Sequence, residues 1–140
     1  MDYKKLTSPC GIDCFNCELY KDNITGELQK KIAAYKKVSL GSVTCDGCRE
    51  SGCYLLDGKC ATKQCIEEKG VEFCHECDQF PCIHLHPCLD KAQDYPHNYK
   101  LYNLCRIKKI GLKQWAENEA ADIRKRYRHG ELIIGHGPEL

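Results

Sequence analysis

Thirteen of the 140 residues are cysteines, and twelve of them lie between Cys10 and Cys88. The stretches between these cysteines, such as CDGC, LDGKC and QFPC, are rich in Gly, Asp and Pro and show little apolar periodicity. Stretches of this kind favour turns and stay ordered only when something local cross-links them. The fold of this segment therefore depends on what its thiols do: they form disulfides, bind a metal or an iron–sulfur cluster, or act as reactive thiols.

Disulfides are the weaker explanation. The cysteine count is odd, and the first residues, MDYKKLTSPCGIDC, show no apolar segment followed by a small-residue cleavage site. No stretch reaches the ~18 apolar residues that predict a membrane span. We therefore expect a cytoplasmic protein without a membrane segment, in which reduced thiols serve metal or redox chemistry.

The composition supplies little material for a conventional core, with three Phe, one Trp and one Met. Small cores usually need additional cross-links, which here must involve cysteine. The net charge of +1 gives no overall attraction to nucleic acid, to a membrane or to an acidic partner. The sequence contains no phosphate-binding Gly loop, dinucleotide fingerprint, HExxH helix or nucleophile elbow, so no catalytic residue is assigned and enzymatic activity stays open.

One spacing, Cys-x2-Cys-x4-Cys, occurs twice, at 45–53 and 74–82. Two thiolates separated by two residues can bind one ion in a tight turn, and a second pair completes a tetrahedron. Further donors follow each unit, Cys60 and Cys65 after the first and His84, His86 and Cys88 after the second. The preferred grouping places Cys45, Cys48, Cys60 and Cys65 on one site, and Cys74, Cys77 and Cys82 on another, completed by a cysteine of the opening triplet, by Cys88 or by a histidine.

The opening triplet, Cys10-x3-Cys14-x2-Cys17, has the spacing with which radical S-adenosylmethionine enzymes hold a [4Fe–4S] cluster. A complete barrel of that kind needs about 200 residues or more, which excludes such an enzyme here. The triplet remains compatible with an ordinary cluster or with three ligands of a zinc site. The paired turns, the nearby histidines and the absence of a ferredoxin run favour zinc; all-Cys ligation and the triplet favour the alternative, a [4Fe–4S] cluster.

Helical periodicity interrupts the Cys-rich part and dominates the rest. It predicts a helix over 23–38, with Asn23 as N-cap and Ile24, Leu28, Ile32 and Tyr35 on one face, and a short helix over 61–68 that stops at Gly70. It also predicts a helix over 98–110 and another over 112–127. The apolar face of the last one, which we interpret as core, carries Leu112, Trp115, Ala116, Ala120, Ile123 and Tyr127.

The predicted fold is mainly α: a small, irregular, metal-stabilised Cys-rich lobe packed against three or four helices. Residues 1–90 form the Cys-rich metal-binding part with one inserted helix, residues 91–140 form the helical C-terminal part, and together they make a single domain. Cys105 is expected to be a buried, inert thiol, and His75 to point outward. Residues 100–128 carry nine Lys or Arg against three Asp or Glu, a basic surface that could contact protein or nucleic acid.

The ordered set CGIDCFNC, CDGC, Cys-x4-Cys and KGVEFCHECDQFPC, followed by YNLCRIKKIGLKQW, resembles a largely prokaryotic family, domain of unknown function 3795, over about residues 8–120. The resemblance implies ten metal-ligating cysteines: Cys10, Cys14, Cys17, Cys45, Cys48, Cys60, Cys65, Cys74, Cys77 and Cys82. By the same match Cys53, Cys88 and Cys105 are additional.

Some relatives carry a further CxxC turn after the Trp helix, where this chain has His129 and His136 but no cysteine, so no C-terminal metal site is expected. The family has no established activity, and the resemblance therefore implies fold and ligands but no reaction. We expect a structural-metal interaction module; the alternative is an iron–sulfur or thiol redox protein that handles electrons, sulfur or metal.

Overall fold

The computed structural model describes residues 1–52, 60–85, 99–129, 132–133 and 137–138. These residues are mainly helical, which confirms the mainly α part of the expected fold, whereas the metal-stabilised lobe stays a prediction. Their helices are α1 Tyr3–Leu6, α2 Gly26–Lys36, α3 Cys48–Ser51, α4 Ala61–Lys69, α5 Tyr99–Ile110, α6 Leu112–Asn118 and α7 Ala120–His129, with 3₁₀ turns at Cys14–Asn16, Leu40–Ser42, Cys74–Glu76 and Ile83–Leu85. Two short strands, β1 Leu132–Ile133 and β2 Gly137–Pro138, pair antiparallel. Within these ranges no helix is long and apolar enough to cross a membrane.

The two helices predicted inside the Cys-rich part are both present. Helix α4 ends at Gly70, whose φ of 65° is the left-handed conformation expected of a C-cap glycine. Helix α2 is shorter than predicted, because Thr25 caps it by accepting the N–H of Leu28 at 3.2 Å. The predicted N-cap, Asn23, is wrong: its side-chain amide donates instead to the carbonyls of Phe15 (2.8 Å) and Cys17 (2.9 Å).

The helix predicted over 112–127 is two helices, α6 and α7, which meet at Glu119. Glu119 leaves the helical conformation with φ −125° and ψ −35°. Its carboxylate accepts a bond from Nε of Arg106 at 2.7 Å, and its carbonyl accepts the N–H of Ile123 in α7 at 3.0 Å. The break between α6 and α7 thus falls at the residue whose side chain is hydrogen-bonded to Arg106 of α5. The predicted apolar face is confirmed as core, since Trp115, Ala116, Ala120 and Ile123 are all buried.

Among the described residues two apolar clusters form the core, and each joins the Cys-rich part to the C-terminal helices. The first contains Phe15, Tyr99, Ile107, Trp115, Ala116, Ala120 and Ile123. The second contains Cys10, Ile66, Phe73, Cys74, Leu85 and Leu104. Helix α5 contributes to both, Ile107 to the first and Leu104 to the second. The helices are therefore packed directly against the cysteine-bearing turns.

A buried ion pair also links the Cys-rich part to the C-terminal helices. Asp13, which has no exposed surface, accepts a bond from Nη1 of Arg124 in α7 at 2.7 Å. The Tyr99 hydroxyl in α5 donates to the same carboxylate, and Nδ2 of Asn16 donates to it at 3.0 Å. Nη2 of Arg124 also contacts Glu18 at 2.7 Å. These contacts anchor the opening cysteine triplet to α5 and α7.

Replacing Arg124 by Met should reduce the free energy of unfolding by about 3–5 kcal/mol, because it leaves the Asp13 carboxylate buried without its cation. Arg126→Met is the matched control, since Arg126 forms an exposed pair with Asp122 at 2.9 Å. Pairs of that kind contribute about 0.5 kcal/mol. Urea unfolding of both variants measures the difference, and equal losses would contradict the anchoring role of Arg124.

Candidate metal centre

The first cysteine turn, residues 13–20, is a tight loop closed by its own backbone. The N–H groups of Asn16, Cys17 and Tyr20 donate to the carbonyls of Asp13, Cys14 and Cys17, each at 3.0 Å. Cys14 is buried at the start of the turn, and Cys17 is half-buried at its end. We call this turn the first knuckle.

Residues 73–80 repeat this backbone arrangement and form the second knuckle. The N–H groups of Glu76, Cys77 and Phe80 donate to the carbonyls three residues earlier, at 3.0, 3.2 and 3.2 Å. Again the first cysteine, Cys74, is buried and the second, Cys77, is half-buried. By the spacing of its cysteines, segment 74–82 resembles segment 45–53. By its backbone hydrogen bonds, segment 73–80 instead resembles segment 13–20.

Backbone N–H groups are directed at two of the sulfur atoms. The N–H of Cys48, at the start of α3, lies 3.4 Å from Sγ of Cys14. In the second knuckle the N–H of Gln79 lies 3.4 Å from Sγ of Cys77. At Cys14 this donor favours the thiolate, the form that binds a metal, against the effect of burial.

Cys14 lies at the centre of the first thiol group, which we define as Cys14, Cys17, Cys45 and Cys48. The pKa of the Cys14 thiol is raised to about 11, mainly by burial and in addition by the negative charges of Cys17, Cys45 and Cys10, against the opposing effect of the Cys48 N–H. The N–H of Lys21 donates to the carbonyl of Cys45 at 3.0 Å. This bond holds the Cys45 turn beside the first knuckle.

Cys74 lies at the centre of the second thiol group, which we define as Cys65, Cys74, Cys77 and Cys82. The pKa of the Cys74 thiol is raised to about 12, mainly by burial and in addition by the negative charges of Cys10, Cys82, Cys65 and Cys77. Helix α4 brings Cys65 to this group. The hydroxyl of Thr62 in α4 donates to the carbonyl of His84, just after Cys82, at 3.4 Å.

The predicted grouping of the cysteines into two metal sites stays a prediction. The Cys45 turn lies beside Cys14, and Cys65 lies beside Cys74. Cys60 is the half-buried N-cap residue of α4, and His84 and His129 are exposed. Cys53, His86, Cys88 and His136 lie outside the described residues. Across the described ranges, no three His, Cys, Asp or Glu residues form a group that could hold a metal ion.

A family model described as "Protein of unknown function (DUF3795)" matches residues 6–87, more than half of the chain. The chain belongs to this DUF3795 family. The matched residues include both knuckles and all ten of the cysteines that the sequence assigned as ligands, whose role stays a prediction. Helices α5 to α7, with Tyr99 and Arg124, lie beyond the match. No curated protein and no solved structure matches the chain.

Two expectations for residues around the DUF3795 cysteines are wrong. Cys105 is exposed, because the buried face of α5 consists of Tyr99, Asn103, Leu104 and Ile107. Asn103 occupies an apolar face because its side-chain amide donates to the carbonyl of Gly11 at 2.8 Å. His75 is half-buried: its ring stacks on Phe73 with centroids 5.6 Å apart, and burial lowers the pKa of the imidazole.

The loop that carries Cys10 is pressed against α5. Thr7 and Asp13 pair across its base, and Gly11 at its tip has φ 86°. A Cβ at Gly11 would lie 2.9 Å from the carbonyl oxygen of Lys100 and 3.0 Å from Cγ of Leu104, so only glycine allows this approach.

Arg49 is a functional candidate that sequence reasoning missed, because no spacing rule points to it. Its Nε donates to the carbonyl of Thr7 at 2.8 Å, and its Nη2 donates to the carbonyl of Glu72 at 2.8 Å. Its guanidinium also lies 4.8 Å from the ring centroid of Phe73. Arg49 directly follows Cys48 and Phe73 directly precedes Cys74, so this one side chain holds the two thiol groups together.

Gly11→Ala should destabilise the protein more than Gly70→Ala does. Both glycines have positive φ, which costs an alanine about 1–2 kcal/mol. Only at Gly11 does the new methyl also collide with α5, which adds about 1–3 kcal/mol. Urea unfolding of both variants provides the comparison. Equal costs would mean that the Cys10 loop does not approach α5 this closely.

Proposed function

We propose that this DUF3795 protein is a structural-metal interaction module in which cysteine-bound zinc orders the Cys-rich part. The observation that carries the proposal is the repeated knuckle: two turns, 13–20 and 73–80, with the same backbone hydrogen bonds at the same positions around a Cys-x2-Cys pair. A turn of this kind presents two sulfur atoms to one ion. Because this turn recurs at two distant places in the chain, its recurrence supports a common metal-binding role for the two cysteine pairs.

The donors in both thiol groups suit zinc. Cysteine is a common ligand of closed tetrahedral zinc sites, which use four donors. Buried neighbouring thiolates repel one another, as the raised pKa values of Cys14 and Cys74 reflect, and a cation between them removes that cost. When bound, zinc would supply positive charge and four directional bonds. Four sulfur ligands leave no position for water, which favours a structural role over hydrolysis.

Folding energetics supports the same proposal. Six large apolar side chains are buried in the described residues of the Cys-rich part, few for a segment of this length: Phe15, Tyr20, Val43, Ile66, Phe73 and Leu85. In such a segment the free energy of metal binding becomes free energy of folding. The metal ions would hold both knuckles in place, and the knuckles carry Phe15 and Phe73 into the two core clusters.

The surface proposed for a partner is the basic side of the C-terminal helices. Residues 100–128 carry six more positive than negative charges. Arg106, Arg124 and Arg126 are paired with Glu119, Asp13 and Asp122, but Lys108, Lys109, Lys113, Lys125 and Arg128 are exposed. We propose that these exposed side chains contact an acidic protein surface or nucleic acid, with the metal-ordered lobe fixing the orientation of α5 and α7.

The alternative function is an iron–sulfur or thiol redox protein. It is supported by the second thiol group, whose members are all cysteines, as in ordinary [4Fe–4S] ligation. Anaerobic purification with metal analysis separates the two functions. A colourless protein with stoichiometric zinc supports the structural-metal module, whereas a brown protein that absorbs near ~400 nm supports the cluster.

Cys77→Ala should lower the metal content by about one ion per chain and reduce thermal stability, because it removes one ligand of a metal-coupled fold. Cys105→Ala is the matched control. Cys105 is exposed on α5, so its loss should leave metal content unchanged and shift stability by less than about 0.5 kcal/mol. Metal analysis and thermal unfolding of both variants test the assignment. The ligand assignment would be wrong if Cys105→Ala lost metal while Cys77→Ala retained it.

A further inference from the structure

A cavity of about 260 Å³ lies between the first knuckle and helix α7. The first knuckle contributes Asn16 and Glu18 to its lining. The rest of the lining comes from α7, including Arg124, Lys125, Arg128 and His129. These four residues are spaced three or four apart, so they share one face of the helix. A single basic helix face therefore forms a large part of the cavity wall.

Positive charge predominates in this cavity. Three basic side chains, Arg124, Lys125 and Arg128, line it together with one acidic side chain, Glu18. Arg124 is 6% exposed and is already bonded to Asp13 and to Glu18, each at 2.7 Å. Lys125 and Arg128 are exposed, and within the described part of the chain neither forms a direct ion pair. The cavity thus presents two cations that are available to an anion from solution.

The position of these cations distinguishes them from other basic residues of α7. Basic residues are common in the last turn of a helix, where they offset the negative end of its dipole. Arg126 is such a residue: it forms an exposed pair with Asp122 at 2.9 Å and does not line the cavity. Lys125 and Arg128 line the same cavity as Arg124. This convergence on one cavity indicates a binding site for an anion.

The Glu18 carboxylate already occupies part of the cavity as an anion. It accepts a bond from Nη2 of Arg124 at 2.7 Å, and 49% of its side chain is exposed. A carboxylate offers two oxygen atoms and one negative charge. A phosphate monoester offers three terminal oxygen atoms and a charge of about −1.5 to −2 at pH 7, which gives one oxygen for each of the three basic side chains. The lining therefore suits phosphate better than a second carboxylate.

We propose that this cavity binds the phosphate group of a small phosphomonoester, with Arg124, Lys125 and Arg128 as the phosphate-binding side chains. A cavity of about 150 Å³ accommodates benzene. The volume of about 260 Å³ therefore holds a phosphate group and a few attached carbon atoms. It is smaller than the ~300–1,000 Å³ pockets of larger ligands, which disfavours a large cofactor. The site shares Lys125 and Arg128 with the proposed partner surface, but it requires neither a bound metal nor a macromolecular partner.

Isothermal titration calorimetry of the full chain with glycerol phosphate, at one fixed salt concentration, tests the site. Lys125→Gln and Arg128→Gln should each weaken binding about tenfold, because each removes a charge-assisted contact to phosphate. Arg126→Gln is the matched control: it removes the same charge from the same helix, outside the cavity, and should change the affinity less than about twofold. All three side chains are exposed, so these variants keep the buried Asp13–Arg124 pair.

Glu18→Gln should change the affinity in the opposite direction. It removes the carboxylate that competes with phosphate for Arg124, so glycerol phosphate should bind about threefold more tightly. Glu50→Gln is its control, because the Glu50 side chain is also 49% exposed and pairs with Lys5 away from this cavity. Unchanged or weaker binding by Glu18→Gln would contradict the placement of the phosphate group at Arg124.

Other results overturn the inference in distinguishable ways. If the original chain does not bind glycerol phosphate, or if Arg126→Gln loses as much affinity as Arg128→Gln, the charges of α7 do not form a site. If inorganic phosphate binds as tightly as glycerol phosphate, the ligand is free phosphate. If a single-stranded oligonucleotide binds more tightly and depends equally on Arg128, the cavity belongs to a nucleic-acid surface. A chain that binds glycerol phosphate but no metal would contradict the proposed function alone.

Discussion

The Asp13 carboxylate, fully buried between the first knuckle and the C-terminal helices, is the contact on which the arrangement depends. It accepts bonds from Arg124 in α7, Tyr99 in α5 and Asn16 in its own turn. A buried carboxylate without such partners would cost several kcal/mol, so these elements must assemble together. Because Asp13 directly precedes Cys14, the same assembly that satisfies the carboxylate also positions the first thiol group against the helices.

A second constraint acts at the cysteines. Buried and half-buried cysteines lie near Cys14 and near Cys74, and each additional negative charge there opposes ionisation of the others. The Arg49 side chain ties the two places together through Thr7, Glu72 and Phe73. In this account a bound cation offsets the repulsion within each group, and the protein supplies the scaffold that brings the groups to within reach of one another.

Local features of the fold could be predicted from the sequence, and long-range ones could not. Helix α4 and its glycine stop follow from nearby residues, as does the buried face that contains Trp115. The break at Glu119 depends on Arg106, thirteen residues away, and the Asp13–Arg124 pair spans 111 residues. Spacing likewise gives no information on which distant cysteines are neighbours, and the ligand role of the cysteines stays a prediction. Tertiary contacts bring Cys45 to Cys14 and Cys65 to Cys74, and they place Asn103 rather than Cys105 on the buried face of α5.

Zinc K-edge X-ray absorption on the purified, metal-loaded chain tests the central claim most directly, because it reports the atoms bonded to the metal. The account predicts a first shell of four sulfur atoms at about 2.3 Å and no nitrogen or oxygen ligands. A shell with substantial nitrogen or oxygen, or a chain that retains no metal after purification under reducing conditions, would contradict it.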